Sequence, residues 1–309
     1  MDSLVKPANL MALALLLTSA VKENIHADEA ILGEVFQPAG TGCEILWDRE
    51  AGQLPESAPH YSAGAHRFSR NTIDYFKNLG SFTDKLKVPP FEHWGNSKDS
   101  ERYAKGIVWL SIAPSLGSLT YYHPQSHEKA VLPDAPTSEV AKTMTRKMLA
   151  ELDADLASLS FEHVRFTKET ATRFDRASGK TVSRLSNGGV FVPRIYEGAP
   201  SNNAGFTVQF GWGGEVTEFS ICWRDVEPAG RRKVPTREEI AKQILEGRAT
   251  VMMDAAQNAD KLMVRKISVI QREAEPFKKA DTVEPYLLIK ADAEVNGETA
   301  DCTIYLKLQ

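Results

Sequence analysis

Six of the seven histidines fall between His60 and His163, and imidazoles gathered in one stretch have the most chemistry to offer here: they ligate transition metals and move protons near neutral pH. His123-Pro-Gln-Ser-His127 has the i, i+4 spacing that sets two imidazoles on one face of a helix. Pro124 and the strand-like run before it place the pair in a loop instead, where that spacing carries no such meaning. The chain has no H-E-x-x-H. A metal site drawn from His60, His93, His123 and His127 is the metal-centred expectation, with solvated loop histidines as its alternative. For acyl transfer the chain has no G-x-S-x-G, and Ser115-Leu-Gly-Ser118 sits where a hairpin turn is expected. Three carboxylate pairs occur. Glu238-Glu239 suits the first turn of a helix, Asp153 and Asp155 a helix exit, and Asp292 and Glu294 a solvated strand face. Arg194, Tyr196, Trp212 and Arg224 are the residue types of a binding face, since Arg and aromatic side chains dominate interface energetics, whereas Trp223 reads as a core residue.

Composition narrows the classes. The 309 residues are 42% hydrophobic and 25% charged, which is ordinary globular usage. A net charge of −4 and a pI near 6.0 argue against a dedicated nucleic-acid surface; Arg231-Arg232-Lys233 reads as a solvated loop. Lys6, the apolar run Leu10 to Leu17 and the small residues Thr18, Ser19 and Ala20 follow the order of a secretory leader. The run is shorter than the roughly 20 residues that span a bilayer. The expectation is a leader over 1–27, a secreted or periplasmic location and no membrane span after cleavage. Cys43, Cys222 and Cys302 form no C-x-x-C pair, and Cys222 and Cys302 fall in expected strands as small core residues.

The elements that must position these groups follow from periodicity. Phe206, Val208 and Phe210 alternate with Thr207 and Gln209. After Gly213-Gly214 come Val216, Phe219, Ile221 and Trp223, which predicts a hairpin with one buried face. Thr236 is placed to cap a helix whose stripe is Ile240, Ala241, Ile244 and Leu245. Upstream, Ile73, Phe76 and Leu79 mark a short helix stopped at Gly80. Residues 106–122 read strand, turn at Pro114 to Gly117, strand. Pro136-Thr-Ser-Glu139 opens a helix running to Leu152 with Val140, Met144, Met148 and Leu152 on its apolar side. Gly106 and Gly205, and Pro136-Thr-Ser-Glu and Pro235-Thr-Arg-Glu, recur at an offset of 99 residues. That period predicts duplicated domains, because solenoid repeats are shorter.

The motifs Val192-Pro-Arg-Ile-Tyr-Glu-Gly198, Gly205-Phe-Thr-Val-Gln-Phe210, Gly214-Glu-Val-Thr-Glu-Phe219, Trp223, Pro235-Thr-Arg-Glu238 and Pro285-Tyr-Leu-Leu-Ile289 resemble the PepSY and fungalysin/thermolysin-propeptide domains. They are similar also to tandem cystatin-like extracytoplasmic regulators of the YycH and YycI type. The resemblance covers roughly residues 106 to 309. It implies an α+β fold of tandem units, each one helix packed on an antiparallel sheet. The first unit spans 106–204 and the second 205–309, after an irregular region or degenerate first unit at 28–105. The expected function is that of a non-enzymatic binding, regulatory or inhibitory protein without a cofactor, whose partner is another extracytoplasmic protein. The alternatives are an extracytoplasmic hydrolase or metal-binding enzyme with its site in the His-rich first third, and a ligand carrier.

Overall fold

The computed structural model describes residues 43–85, 100–124, 133–152, 154–175, 180–251, 259–273 and 281–309. The expected leader over 1–27, His93 and His127 lie outside them. Among the described residues there are fourteen strands and three α-helices, and the chain divides into two compact units.

The larger unit comprises Ala58–Arg232 and Ile270–Pro285. Its frame is a seven-stranded antiparallel sheet built from β3 (Glu101–Lys105), β4 (Val108–Ala113), β5 (Ser118–Tyr122), β6 (Arg165–Asp175), β7 (Lys180–Tyr196), β8 (Ala199–Phe210) and β9 (Val216–Cys222). The order across the sheet is β6-β7-β8-β9-β5-β4-β3. Two helices, α1 (Arg70–Leu79) and α2 (Ser138–Glu151), close one face of it. The period-two pattern of β8 buries Phe206, Val208 and Phe210. The same pattern buries Phe219 and Ile221 in β9, and Val190 and Val192 in β7. Phe76 of α1 lies against this layer, with its ring 4.4 Å from that of Phe219 and 5.5 Å from that of Tyr121. Burying a Phe side chain of this kind contributes about 1.5–3 kcal/mol. Within the same unit, β2 (Ser57–Gly64), β10 (Asp225–Lys233) and the start of β13 (Thr282–Val295) run side by side, and a small cluster of Tyr61, Tyr196 and Val283 is buried there.

The second unit holds β1 (Glu44–Trp47), α3 (Arg237–Leu245), β11 (Thr250–Val251), the Lys261–Val269 part of β12 (Lys261–Arg272), the Tyr286–Val295 part of β13 and β14 (Glu298–Lys307). β1 pairs parallel with β12, while β14 pairs antiparallel with both β13 and β11. Thr236 caps α3 through a complete capping box, because Glu239 stands three residues on and returns its carboxylate to the Thr236 N–H. Thr137 begins α2 without a side-chain cap, and Val140, three residues on, has no carboxylate with which to complete a box.

Tandem helix-on-sheet units are therefore not what the chain builds. The two hairpins that suggested a repeat, β4–β5 and β8–β9, are neighbours in one continuous sheet, joined where Ser118 pairs with Cys222 and Tyr122 with Glu218. Their likeness is that of two hairpins obeying the same burial pattern, and the fold is β-rich and not a series of α+β domains. The apolar side of α2 departs from expectation at one residue. Ala141, Thr145, Met148, Leu149 and Leu152 are buried, whereas Val140 is 52% exposed. The buried stripe tolerates Thr145 because its hydroxyl donates to the Ala141 carbonyl at 2.8 Å.

At the β4–β5 turn, Gly117 has φ of 60° and its carbonyl accepts from the Trp223 N–H at 2.7 Å. A Cβ there would run into the Trp223 carbonyl oxygen. Gly106 has φ of 62° but open space around it. Gly117→Ala should thus cost roughly 1–3 kcal/mol for strained backbone, plus the clash, and Gly106→Ala only about 1 kcal/mol. Chemical denaturation of the two variants side by side checks the difference.

Candidate functional site

The expected binding residues Arg194, Tyr196 and Arg224 do converge, but in the interior. They meet at Glu273, a residue from the end of β12 that is 1% exposed. Glu273 accepts from the Tyr196 hydroxyl through Oε1 and from Arg224 Nη1 at 3.0 Å through Oε2. Arg194 Nη1 lies 3.5 Å from Oε1 and donates to the Arg224 carbonyl at 2.5 Å. Asn203 clasps the backbone of the same residue, receiving the Glu273 N–H at 3.0 Å and donating to its carbonyl at 2.7 Å. The Arg194 guanidinium lies 4.8 Å from the Tyr196 ring centre and 4.2 Å from that of Trp223. Burial raises the Glu273 carboxyl above the usual carboxylate range, while the Tyr196 hydrogen bond and the two guanidinium groups pull the other way. Burial, with the Glu273 charge, pushes the Cys222 thiol up to about 12, so it stays protonated and inert. All three cysteines are buried as free thiols. This cluster ties β7, β8, the β9–β10 junction and the end of β12 together around a fully buried carboxylate, and of its two guanidinium groups only that of Arg194 keeps some exposure.

Trp212 stands apart from them. It lies in the single turn after β8, 5.7 Å beneath the guanidinium of Arg184, which is itself paired with Asp134 at 2.7 Å.

Among the described residues the histidines do not gather. His60 lies in β2, and its Nδ1 is buried without a hydrogen-bond partner among the described residues. His123 follows β5, with its N–H on the Thr217 carbonyl. His66 pairs with Asp225 at 2.8 Å, and His163 with Ser160 at 2.7 Å. The latter pair is a local turn, since the His163 N–H also reaches the Ser160 hydroxyl at 3.3 Å. Among the described residues no three His, Cys, Asp or Glu side chains come together in a way that could hold a metal ion.

A different group emerges on the sheet face turned away from α1 and α2. Directly opposed residues of neighbouring strands share a face. The register sets Trp109 opposite Tyr122, Tyr122 opposite Glu218, and Glu218 opposite Gln209. Four adjacent strands thus carry a row of about 14 Å, at roughly 4.8 Å per strand. The Trp109 and Tyr122 rings stack, with centroids 5.7 Å apart and planes 28° from parallel. Gln209 accepts from the Asn187 amide at 2.7 Å, and Glu169 is directly opposite Asn187 on β6. The neighbouring row, Ser111, Thr120, Ser220 and Thr207, is all hydroxyl. Among the described residues neither Glu218 nor Glu169 has an ion pair. Burial, with the Glu169 charge beside it, raises the Glu218 carboxyl to about 7, and Glu218 in turn helps raise Tyr122. The alternation of β9 signals that Glu218 faces away from Phe219 and Ile221. Only the β5–β9 pairing brings it to Tyr122 and Trp109.

No family model matches the chain, and no curated protein does. Nine solved chains match. One is an uncharacterized protein from Eubacterium rectale ATCC 33656, with 11% identity over 85% of this chain and 86% of that one, and a TM-score of 0.43. That similarity is too low to assign a fold or a function.

Two outcomes follow from the carboxylates. Glu273→Ala leaves two inward-facing guanidinium groups without their shared carboxylate and should cost about 3–5 kcal/mol, seen as a shifted denaturation midpoint. Glu218 behaves differently. Its folded value lies above the ordinary glutamate range, so its stabilising contribution is complete below that range and is lost as pH rises through about 7. Glu218→Gln should have a higher Tm than the wild type at pH 8, with the gap closing by pH 5.

Proposed function

We propose that this chain is a binding protein that works outside the cytoplasm and engages a partner protein over the sheet face opposite α1 and α2. The observation that carries the reading is the row Trp109, Tyr122, Glu218 and Gln209, flanked by hydroxyls. It sets aromatic and polar groups side by side on a rigid antiparallel frame, as recognition of an extended surface requires. The extracytoplasmic location is supported by the order of charged, apolar and small residues at the N-terminus. Among the described residues, no helix is long and apolar enough to cross a membrane.

A second reading has one specific observation in its favour. Glu218, protonatable near neutral pH, and Glu169 lie on one face close enough to interact, and a carboxylic acid beside a carboxylate is the equipment of glycoside hydrolysis. It requires a hydrolytic activity lost in both Glu169→Gln and Glu218→Gln.

The test uses the full chain as bait in the extracytoplasmic fraction, with cross-linking and mass spectrometry. Thr207→Arg places a bulky charge in the middle of the face, and Val140→Arg places one on the exposed side of α2. The partner cross-linked by the wild type should be lost with Thr207→Arg and kept with Val140→Arg, with both variants retaining the wild-type near-UV spectrum. A partner that binds both variants equally, or no partner at all, overturns the reading.

A further inference from the structure

A sheet edge is a row of unpaired backbone N–H and C=O groups, and natural edges are kept short, interrupted by proline or covered. The outer strands of the larger unit follow that rule with one exception. β3 has five residues, and Lys85 already bridges to Tyr103 on it. β10 carries Pro228. β6 runs over eleven residues without a proline, and among the described residues it pairs with β7 alone. The register shift at Glu169 and Thr170 does not blunt this edge. Glu169 is opposite Asn187 and Thr170 opposite Leu185, so the extra residue is Ser186 on β7 and β6 stays regular. Arg165 and the run Thr167 to Thr172 are exposed.

We propose that β6 pairs antiparallel with β6 of a second copy of this chain, joining the two sheets edge to edge. A two-fold axis between such strands stands perpendicular to the sheet, so opposed residues share a face and are separated by an even number of positions. Few centres remain. On Lys168 or Glu169 the axis sets like charges against each other, and on Thr170 it leaves Lys168 and Glu169 opposite Thr172 and Ala171. On Thr167 every opposition is favourable. Arg165 then faces Glu169 of the second copy and Glu169 faces its Arg165, while Lys168 lies across from Phe166, against which its aliphatic stem packs. Thr167 meets its own counterpart on the axis, and Thr–Thr pairs are among the stabilising cross-strand pairs. The segment Arg165-Phe-Thr-Lys-Glu169 is in this sense its own complement. Within one chain Arg165 donates to Asn202 and lies 4.4 Å from the Phe191 ring centre. On pairing it exchanges the neutral Asn202 for a carboxylate, the stronger acceptor. A symmetric pairing uses up the edge of both copies, so assembly closes at a dimer. The contact is made by the edge of the sheet and does not require the face opposite α1 and α2 to bind a partner.

Sedimentation equilibrium of the full chain across a dilution series reads the association directly. The wild type should show a concentration-dependent equilibrium between monomer and dimer. Arg165→Glu and Glu169→Arg each set two pairs of like charges across the axis, and each should weaken the dimer at least about tenfold. An equimolar mixture of the two variants places opposite charges at both positions again and should recover wild-type association as a mixed dimer. That recovery separates a lost contact from a folding defect, because a variant that failed to fold would not regain affinity. A wild type that stays monomeric at every concentration overturns the proposal. So does a dimer that both substitutions leave unchanged, or one whose weakening the mixture does not repair. A different protein cross-linked to β6 of a monomeric chain overturns it as well and assigns the edge to that protein.

Discussion

A carboxylate buried to the extent of Glu273 is tolerated only where its surroundings replace the water it has lost. Two guanidinium groups and a phenol do so here, with an asparagine holding the backbone of the same residue. The cost of desolvating such a group is several kcal/mol, so each ligand is constrained by the others. Arg224 follows directly on β9 and Trp223, Arg194 and Tyr196 end β7, and Asn203 lies in β8. The positions of four strand segments are therefore coupled to one charge. The backbone turn at Gly117, whose carbonyl receives the Trp223 N–H, is tied to the same region by the residue next to Arg224. What looks in sequence like a collection of interface residues is the fastening of the larger unit.

That fastening leaves the sheet free to differ on its two faces. One carries Phe206, Val208, Phe210, Phe219 and Ile221 against α1 and α2, and its energetics are those of apolar burial. The other carries Ser, Thr, Gln, Glu and two stacked aromatics, which contribute little to a core. An antiparallel sheet covered on one side keeps polar residues on the other, and the row Trp109, Tyr122, Glu218 and Gln209 lies there, part-buried.

Local chemistry was legible wherever it depended on neighbours along the chain. The box at Thr236 and Glu239, the stop at Gly80, the turns at Pro114–Gly117 and Gly213–Gly214, and the alternation in β8 and β9 each rest on contacts within a few residues. The tandem-domain expectation failed for the converse reason. Two hairpins and two P-T-x-E helix starts recur because similar local problems have similar solutions, and recurrence of elements does not imply recurrence of the partners they pack on. On α2 a similar ambiguity misplaced Val140 alone. Hydropathy places Val140 with Met144 and Met148, whereas the buried stripe turns from Met148 through Thr145 to Ala141. At the buried cluster, Arg194, Tyr196 and Arg224 stood out by residue type. Glu273 did not, because a glutamate in a polar stretch after a strand carries no mark of burial.

By itself, then, the sequence determined the apolar hairpin strands β4, β5, β8 and β9, where the helices start and where the turns need glycine, but not β10, whose Arg231-Arg232-Lys233 reads as a loop and stands in a strand. These are set by sterics and by hydrogen bonds that close over short distances. Only the tertiary structure decided that β5 lies against β9, that Glu273 reaches back to residues 49 and 77 positions away, and that Trp109, Tyr122, Glu218 and Gln209 form one row. Strand order is chosen by the burial of whole faces and by the satisfaction of isolated charges, and both are properties of the assembled sheet.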